Sequence, residues 1–139
     1  MVCRAVVFAA REGRKAGKLV ILDPAPAANL PDELYHCVDV IKPNETELGL
    51  LTGMPVDTAE EIERAACRLL ERGVGSVVDT TAAGDSFTAA MAMFLTEAYS
   101  LEQAITFAIE VAAVVVTRPG AQSSIPNEDE IREIHGLFI

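Results

Sequence analysis

The sequence predicts an α/β domain with a mostly parallel sheet, and three observations lead there. Short β-prone runs at 19–22, 38–41 and 74–78 are separated by segments whose apolar residues recur at helical spacing. Apolar residues make up 50% of the chain and aromatics only 5%, which suits Val, Ile, Leu and Ala packed under helices on both faces of a sheet. Capping boxes and glycine stops fall between the strands, as such an alternation requires. The crossovers are expected to be right-handed. At 139 residues the chain has room for one domain with its own core.

Residues 2–15 place Val6, Val7, Ala9 and Ala10 ahead of Arg11, Arg14 and Lys15, a helix with basic residues in its last turn, where the dipole favours them. Gly17 ends it. The strand at 19–22 runs into Asp23-Pro24-Ala25-Pro26, whose prolines fix an extended loop, and Pro31 opens a short helical turn. The strand at 38–41 leaves through Lys42-Pro43-Asn44. Asn44 with Glu47, and Thr58 with Glu61, are capping boxes for two helices; Gly53 and Gly73 are their stops. Ile62, Ala65, Ala66, Leu69 and Leu70 mark the apolar stripe of the second. After the run at 74–78 a helix is expected from Phe87 to about Ala98. Ser100 with Gln103 then caps another to about Val116, apolar nearly all round and so expected to be buried between layers. Asn127 with Glu130 caps a last helix with Ile131, Ile134 and Leu137 on its inner side.

A formal net charge of −10 argues against nucleic acid and against an anionic membrane surface as partners. Cys3, Cys37 and Cys67 are odd in number and lack C-x-x-C spacing, so they are expected as free thiols of a reducing compartment. His36 and His135 are read as surface residues. The most apolar stretch, 104–116, is interrupted by Glu110 and is too short to span a bilayer, and no secretory segment is apparent. A soluble, cytoplasmic protein is expected.

The most informative stretch is Asp79-Thr80-Thr81-Ala82-Ala83-Gly84-Asp85-Ser86-Phe87, where a β-prone run meets a helix. Ala82, Ala83 and Gly84 allow a tight turn with several N–H groups pointing one way, a natural anion site, and the Asp85 carboxylate sits in the first helical turn. An anion cradle beside a carboxylate suits phosphoryl transfer to a hydroxyl; a plain strand-to-helix turn capped by Asp is the simpler alternative. Ligands of parallel sheets bind off the carboxyl ends of the strands, and Asp23, Asn44, Glu47 and 79–85 are all expected there.

The nine-residue stretch resembles the C-terminal signature of the carbohydrate kinases of the ribokinase (PfkB-like) family. Asp23-Pro24-Ala25-Pro26-Ala27, Lys42-Pro43-Asn44-Glu45-Thr46-Glu47 with Leu51-Thr52-Gly53, and Thr117-Arg118-Pro119-Gly120-Ala121-Gln122-Ser123-Ser124 resemble the same family in the same order. The resemblance implies a ribokinase-like three-layer α/β/α fold, with 1–139 as a single partial kinase domain. It implies ATP-dependent phosphorylation of a sugar hydroxymethyl group, ribose to ribose 5-phosphate, with Asp85 as the base. Ala82, Ala83 and Gly84 would form the anion hole, Asn44 and Glu47 would position Mg²⁺ and the ATP phosphates, and Ile109 would lie beside the adenine. A K⁺ site would draw on Asp79, Thr81, Val115, Arg118, Gly120 and Ser124.

The resemblance also implies what is missing. The family's N-terminal half, with its sugar contacts and β-sheet lid, has no counterpart. Between Gly75 and Val77 the chain lacks a strand, a nucleotide contact and a hairpin, so 73–79 is expected to be distorted from the family arrangement or poorly ordered. A non-catalytic fragment that binds nucleotide or anion therefore stands as the alternative to an active kinase. Expected partners are a sugar and ATP, with either a homo-oligomer or pairing with a full-length kinase.

Overall fold

In a computed structural model of the chain, the described residues are 4–78, 84–118 and 122–137, apart from the side chains of Gln122, His135 and Leu137. The element order is α1 (Arg4–Lys15), β1 (Ile21–Leu22), α2 (Asp32–Tyr35), β2 (Val40–Ile41), α3 (Glu45–Thr52), α4 (Ala59–Glu71), β3 (Ser76–Val77), α5 (Gly84–Thr96), α6 (Leu101–Val116), a 3₁₀ turn (Gln122–Ser124) and α7 (Glu128–Leu137). The chain divides into two compact units, Met1–Asp79 and Thr80–Ile139.

In the first unit β1, β2 and β3 form a parallel sheet in that order. Val40 pairs with Ile21 on one side and Ser76 on the other; Ile41 pairs with Leu22 and Val77. The ladder extends past the strands, with Asp39 N donating to Val20 O at 2.9 Å, Gly75 N to Val38 O at 3.2 Å and Val78 N to Ile41 O at 2.9 Å. Over the described part of 73–79, residues 73–78 lead into a short strand parallel to β2, and Asp79 lies outside the described residues. Glycine makes this possible. A Cβ on Gly75 would stand 2.7 Å from the Asp39 carbonyl oxygen, and one on Gly73, at φ +106°, would collide with the His36 ring.

The capping boxes at Asn44 and Thr58 form as the sequence predicts and set the starts of α3 and α4. Gly53, at φ 69°, closes α3 in the left-handed region. Leu34, Tyr35, Ile41, Leu48, Ala65 and Leu69 form the centre of the core. Arg72 pins the end of α4 to it. Its guanidinium stacks 4.0 Å from the Tyr35 ring centre, donates to Tyr35 Oη and Leu51 O at 3.2 Å each, and pairs with Asp32 at 2.7 Å. That hydrogen bond holds the Asp32 carboxyl below its ordinary range, while burial pushes the Tyr35 hydroxyl up.

In the second unit α5 and α6 pack along each other across the short turn at 97–100. Phe94, Tyr99 and Phe107 cluster beside that turn, with ring centres 4.7 to 5.6 Å apart. One side of α6 buries Ala104, Ala108, Val111 and Ala112. The expectation that α6 is covered all round is corrected: Ile109 is 55% exposed and Val116 is exposed too, because the neighbours of α6 cover only part of its apolar circumference. Asn127 and Glu130 form the box that starts α7, and Arg118 reaches Glu130 at 3.1 Å, tying the end of α6 to α7. Hydrogen bonding to Asn127, then to Arg118, holds the Glu130 carboxyl below its ordinary range. Among the described residues, no helix is long and apolar enough to cross a membrane.

Two outcomes follow from this packing. Leu69, at 0% exposure, and Leu70, at 44%, are neighbours on α4. In urea denaturation Leu69→Ala is expected to cost about 2–5 kcal/mol and Leu70→Ala less than about 1 kcal/mol; equal costs would contradict the core assignment. The carboxyl of Glu130 is lowered in the fold, so its stabilisation is complete above the ordinary value of 4.5 and is lost as pH falls through the lowered one. Thermal melts between about pH 6 and pH 3 should therefore fall more steeply for the native chain than for Glu130→Gln, and identical slopes would rule the tie out.

Candidate active site

The carboxyl ends of β1 and β2 bring four polar side chains to one edge of the first unit. Asp23 follows β1 directly and Lys42 follows β2 directly. Lys42 is only 2% exposed, and its ammonium pairs with the Asp23 carboxylate at 2.5 Å. A lysine is tolerated in such a place because a carboxylate meets it there. Two residues on, Asn44 caps α3: its Oδ1 accepts from Glu47 N at 2.9 Å, and Glu47 Oε2 accepts from Asn44 N at 2.8 Å. The box occupies one oxygen of each side chain. The Asn44 amide nitrogen and Glu47 Oε1 retain capacity for a ligand. A small cavity of about 90 Å³ lies beside the cap, lined mainly by Pro43, Asn44, Leu48, Ile62 and Val77.

Lys42 lies within the Lys42-Pro43-Asn44 motif, which by itself assigns it no role. The available signal was a lysine at the end of an apolar strand, with an aspartate at the end of the preceding one.

In the second unit Gly84 opens α5, and Asp85 is exposed in its first turn, where the helix dipole favours a carboxylate. Ser86 and Phe87 are buried directly behind it, and Thr88 Oγ1 donates to Gly84 O at 2.8 Å, so the turn that carries Asp85 is held from the inside. Because α5 and α6 pack as a helical hairpin, the carboxyl end of α6 lies at the same end as the start of α5. That end gathers Val115, Arg118 and Ser124: the Val115 carbonyl accepts from Arg118 N at 3.1 Å, and Ser124 is buried in the 3₁₀ turn, which contacts α6. Ile109 stands on the open side of α6. Asp79, Thr81, Ala82, Ala83 and Gly120 lie outside the described residues. Among the described residues, no three His, Cys, Asp or Glu side chains cluster closely enough to hold a metal ion.

Comparison with known proteins gives this arrangement its context. The sequence pattern of the pfkB family of carbohydrate kinases matches residues 2–78 and 74–128. Ribokinase from Haemophilus influenzae is 37% identical over 155 residues, covering 92% of this chain and 51% of that protein. Deoxyribokinase from Salmonella typhi is 35% identical, covering 95% of this chain and 52% of the other. The structure of Arabidopsis thaliana ribokinase complexed with ribose and ATP superimposes with a TM-score of 0.86 at 32% identity, covering 94% of this chain and 51% of that one. The chain thus spans about half the length of the curated relatives it matches, and over that half its fold is the ribokinase fold. It belongs to the pfkB family of carbohydrate kinases.

Proposed function

We propose that this chain carries the phosphoryl-transfer machinery of a sugar kinase, which moves the γ-phosphoryl group of ATP to a sugar hydroxymethyl group, with ribose giving ribose 5-phosphate. The observation that carries the reading is Asp85, an exposed carboxylate in the first turn of α5 directly after Gly84. In the proposed step the carboxylate takes the proton of the sugar hydroxyl. The hydroxyl oxygen bonds to the γ-phosphorus as the bond to the β–γ bridging oxygen breaks, and ADP leaves. The amides of Ala82, Ala83 and Gly84 take up charge on the transferring group.

Asn44 and Glu47 are assigned to the ATP phosphates and to Mg²⁺, held largely through water. The spare Glu47 oxygen and the spare Asn44 amide suit so sparse a ligand set. Mg²⁺ would neutralise phosphate charge. Ile109, apolar and open to solvent, is assigned to the adenine. Oxygen donors alone suit an alkali cation. For K⁺ they are assigned to Asp79, the carbonyls of Thr81, Val115, Arg118 and Gly120, and the buried Ser124 hydroxyl. The free thiols Cys37 and Cys67 support a cytoplasmic setting.

One observation favours a second reading: the chain spans half the length of its relatives. A fragment of that size would bind nucleotide or phosphate without turnover, or pair with a full-length kinase.

A coupled ADP-release assay with ribose, Mg²⁺ and K⁺ is expected to show turnover that falls at least about 100-fold in Asp85→Asn. Equal rates would remove the catalytic reading, and calorimetry with ATP–Mg²⁺ would then show whether the fragment reading stands. Glu47→Gln keeps an oxygen acceptor for the α3 cap but loses the charge. It should leave stability within about 0.5 kcal/mol and weaken apparent ATP–Mg²⁺ affinity about tenfold; a loss of stability with unchanged affinity would reduce Glu47 to a cap.

A further inference from the structure

We propose that the Lys42–Asp23 ion pair is a positioning pair: it locks the loop after β1 to the start of α3 and so holds Asn44 and Glu47 beside a wall of fixed shape. Backbone pairing between these two chain segments runs out where the pair stands. Lys42 N donates to Leu22 O at 3.1 Å. Asp23 and Lys42 are each followed directly by a proline, Pro24 and Pro43, which has no N–H with which to extend the ladder. A residue ahead of proline is steered to extended backbone, so both partners are presented from stiff strand exits. The side chains make the link that the backbone no longer can, with that of Lys42 only 2% exposed and that of Asp23 30% exposed. Beyond the buried Pro24, Ala25 and Pro26 are exposed.

Stability alone does not account for a charge pair in this place. Taking an ammonium and a carboxylate out of water costs about as much as their attraction returns, and apolar residues of similar volume would fill the space as well. What the pair adds is direction, because the ammonium meets the Asp23 carboxylate at one distance and on one side. The capping box does the complementary part. It fixes Asn44 and Glu47 relative to each other and leaves the Asn44 amide nitrogen and Glu47 Oε1 spare. It does not fix where those atoms stand relative to the neighbouring loop, and ligands of a parallel sheet sit off the strand ends between such loops. Lys42 is joined to Asn44 through the single residue Pro43, so a shift of one is carried to the other.

The proposal rests on the assignment of Asn44 and Glu47 to the ATP phosphates, and its test reads the loop as well as the ligand. Asp23→Asn leaves the buried ammonium without its carboxylate and is expected to lower the urea midpoint. The Asp23→Leu, Lys42→Met double variant removes both charges and is expected to recover it. In that double variant the Glu47 amide should keep its native exchange rate, showing that the cap of α3 is intact. The Ala25 and Ala27 amides should lose rigidity in ¹⁵N relaxation, and calorimetry should show ATP–Mg²⁺ binding at least about tenfold weaker. Native rigidity at Ala25 and Ala27, native affinity with a loosened loop, or a double variant that does not recover the midpoint would each overturn the positioning role. A native chain that binds no ATP–Mg²⁺ would count against the assignment of Asn44 and Glu47; the two alanine amides would then decide by themselves whether the pair locks the loop.

Discussion

Asp39 is the residue on which the first unit turns. It stands one position ahead of β2 and uses nearly every polar atom it has. Its N–H donates to Val20 O, and its carboxylate accepts Val20 N at 2.8 Å and the Arg14 guanidinium at 3.0 Å. Its carbonyl oxygen faces Gly75 so closely that only glycine fits there. One residue thus joins β1, α1 and the approach to β3. Buried strands must have both edges paired, because an unpaired amide away from water is costly. Val40 and Ile41 meet that condition only if β1 and β3 arrive in register, and Asp39 and Gly75 set the register on either side. The positions of Lys42 and Asn44 follow, since Lys42 comes directly after the strand and Asn44, two residues on, caps α3.

Features decided within three or four residues were legible in the sequence. All four capping boxes, at Asn44, Thr58, Ser100 and Asn127, form as read, because cap and partner lie three positions apart and need nothing from the rest of the chain. Features decided by pairing were not. Asp23 and Lys42 were both visible, but their contact depends on β1 lying parallel to β2 with Leu22 opposite Ile41. Burial of α6 was misjudged for the same reason: apolar composition says what a helix can bury, and only its neighbours decide which side does so. At the candidate site the geometry of Asp85 was readable as a helix start, whereas the assignment of a base came from the order of four motifs along the chain.

The segment before Asp79 shows how a fold accommodates a shortened connection. The match to the Haemophilus protein runs over 155 residues although this chain has 139, so the relative carries residues inside the matched stretch that are missing here. The family pattern also claims 74–78 twice, once at the end of one matched segment and once at the start of the next. One short strand answers to two places in the pattern. What the sheet requires at this point, however, is small: a few residues able to donate from Gly75 and Val78 to the open edge of β2. Arg72 supplies the fixed starting point, because its contacts with Tyr35, Leu51 and Asp32 hold the end of α4 beside that edge. Gly73 then turns in the left-handed region under the His36 ring, where a side chain has no room, and Gly75 passes against Asp39. Two glycines and one anchored arginine are enough to deliver β3 without the longer path. The edge of β2 is therefore completed locally, and the shortened connection does not by itself unmake the framework that carries Lys42, Asn44 and Glu47.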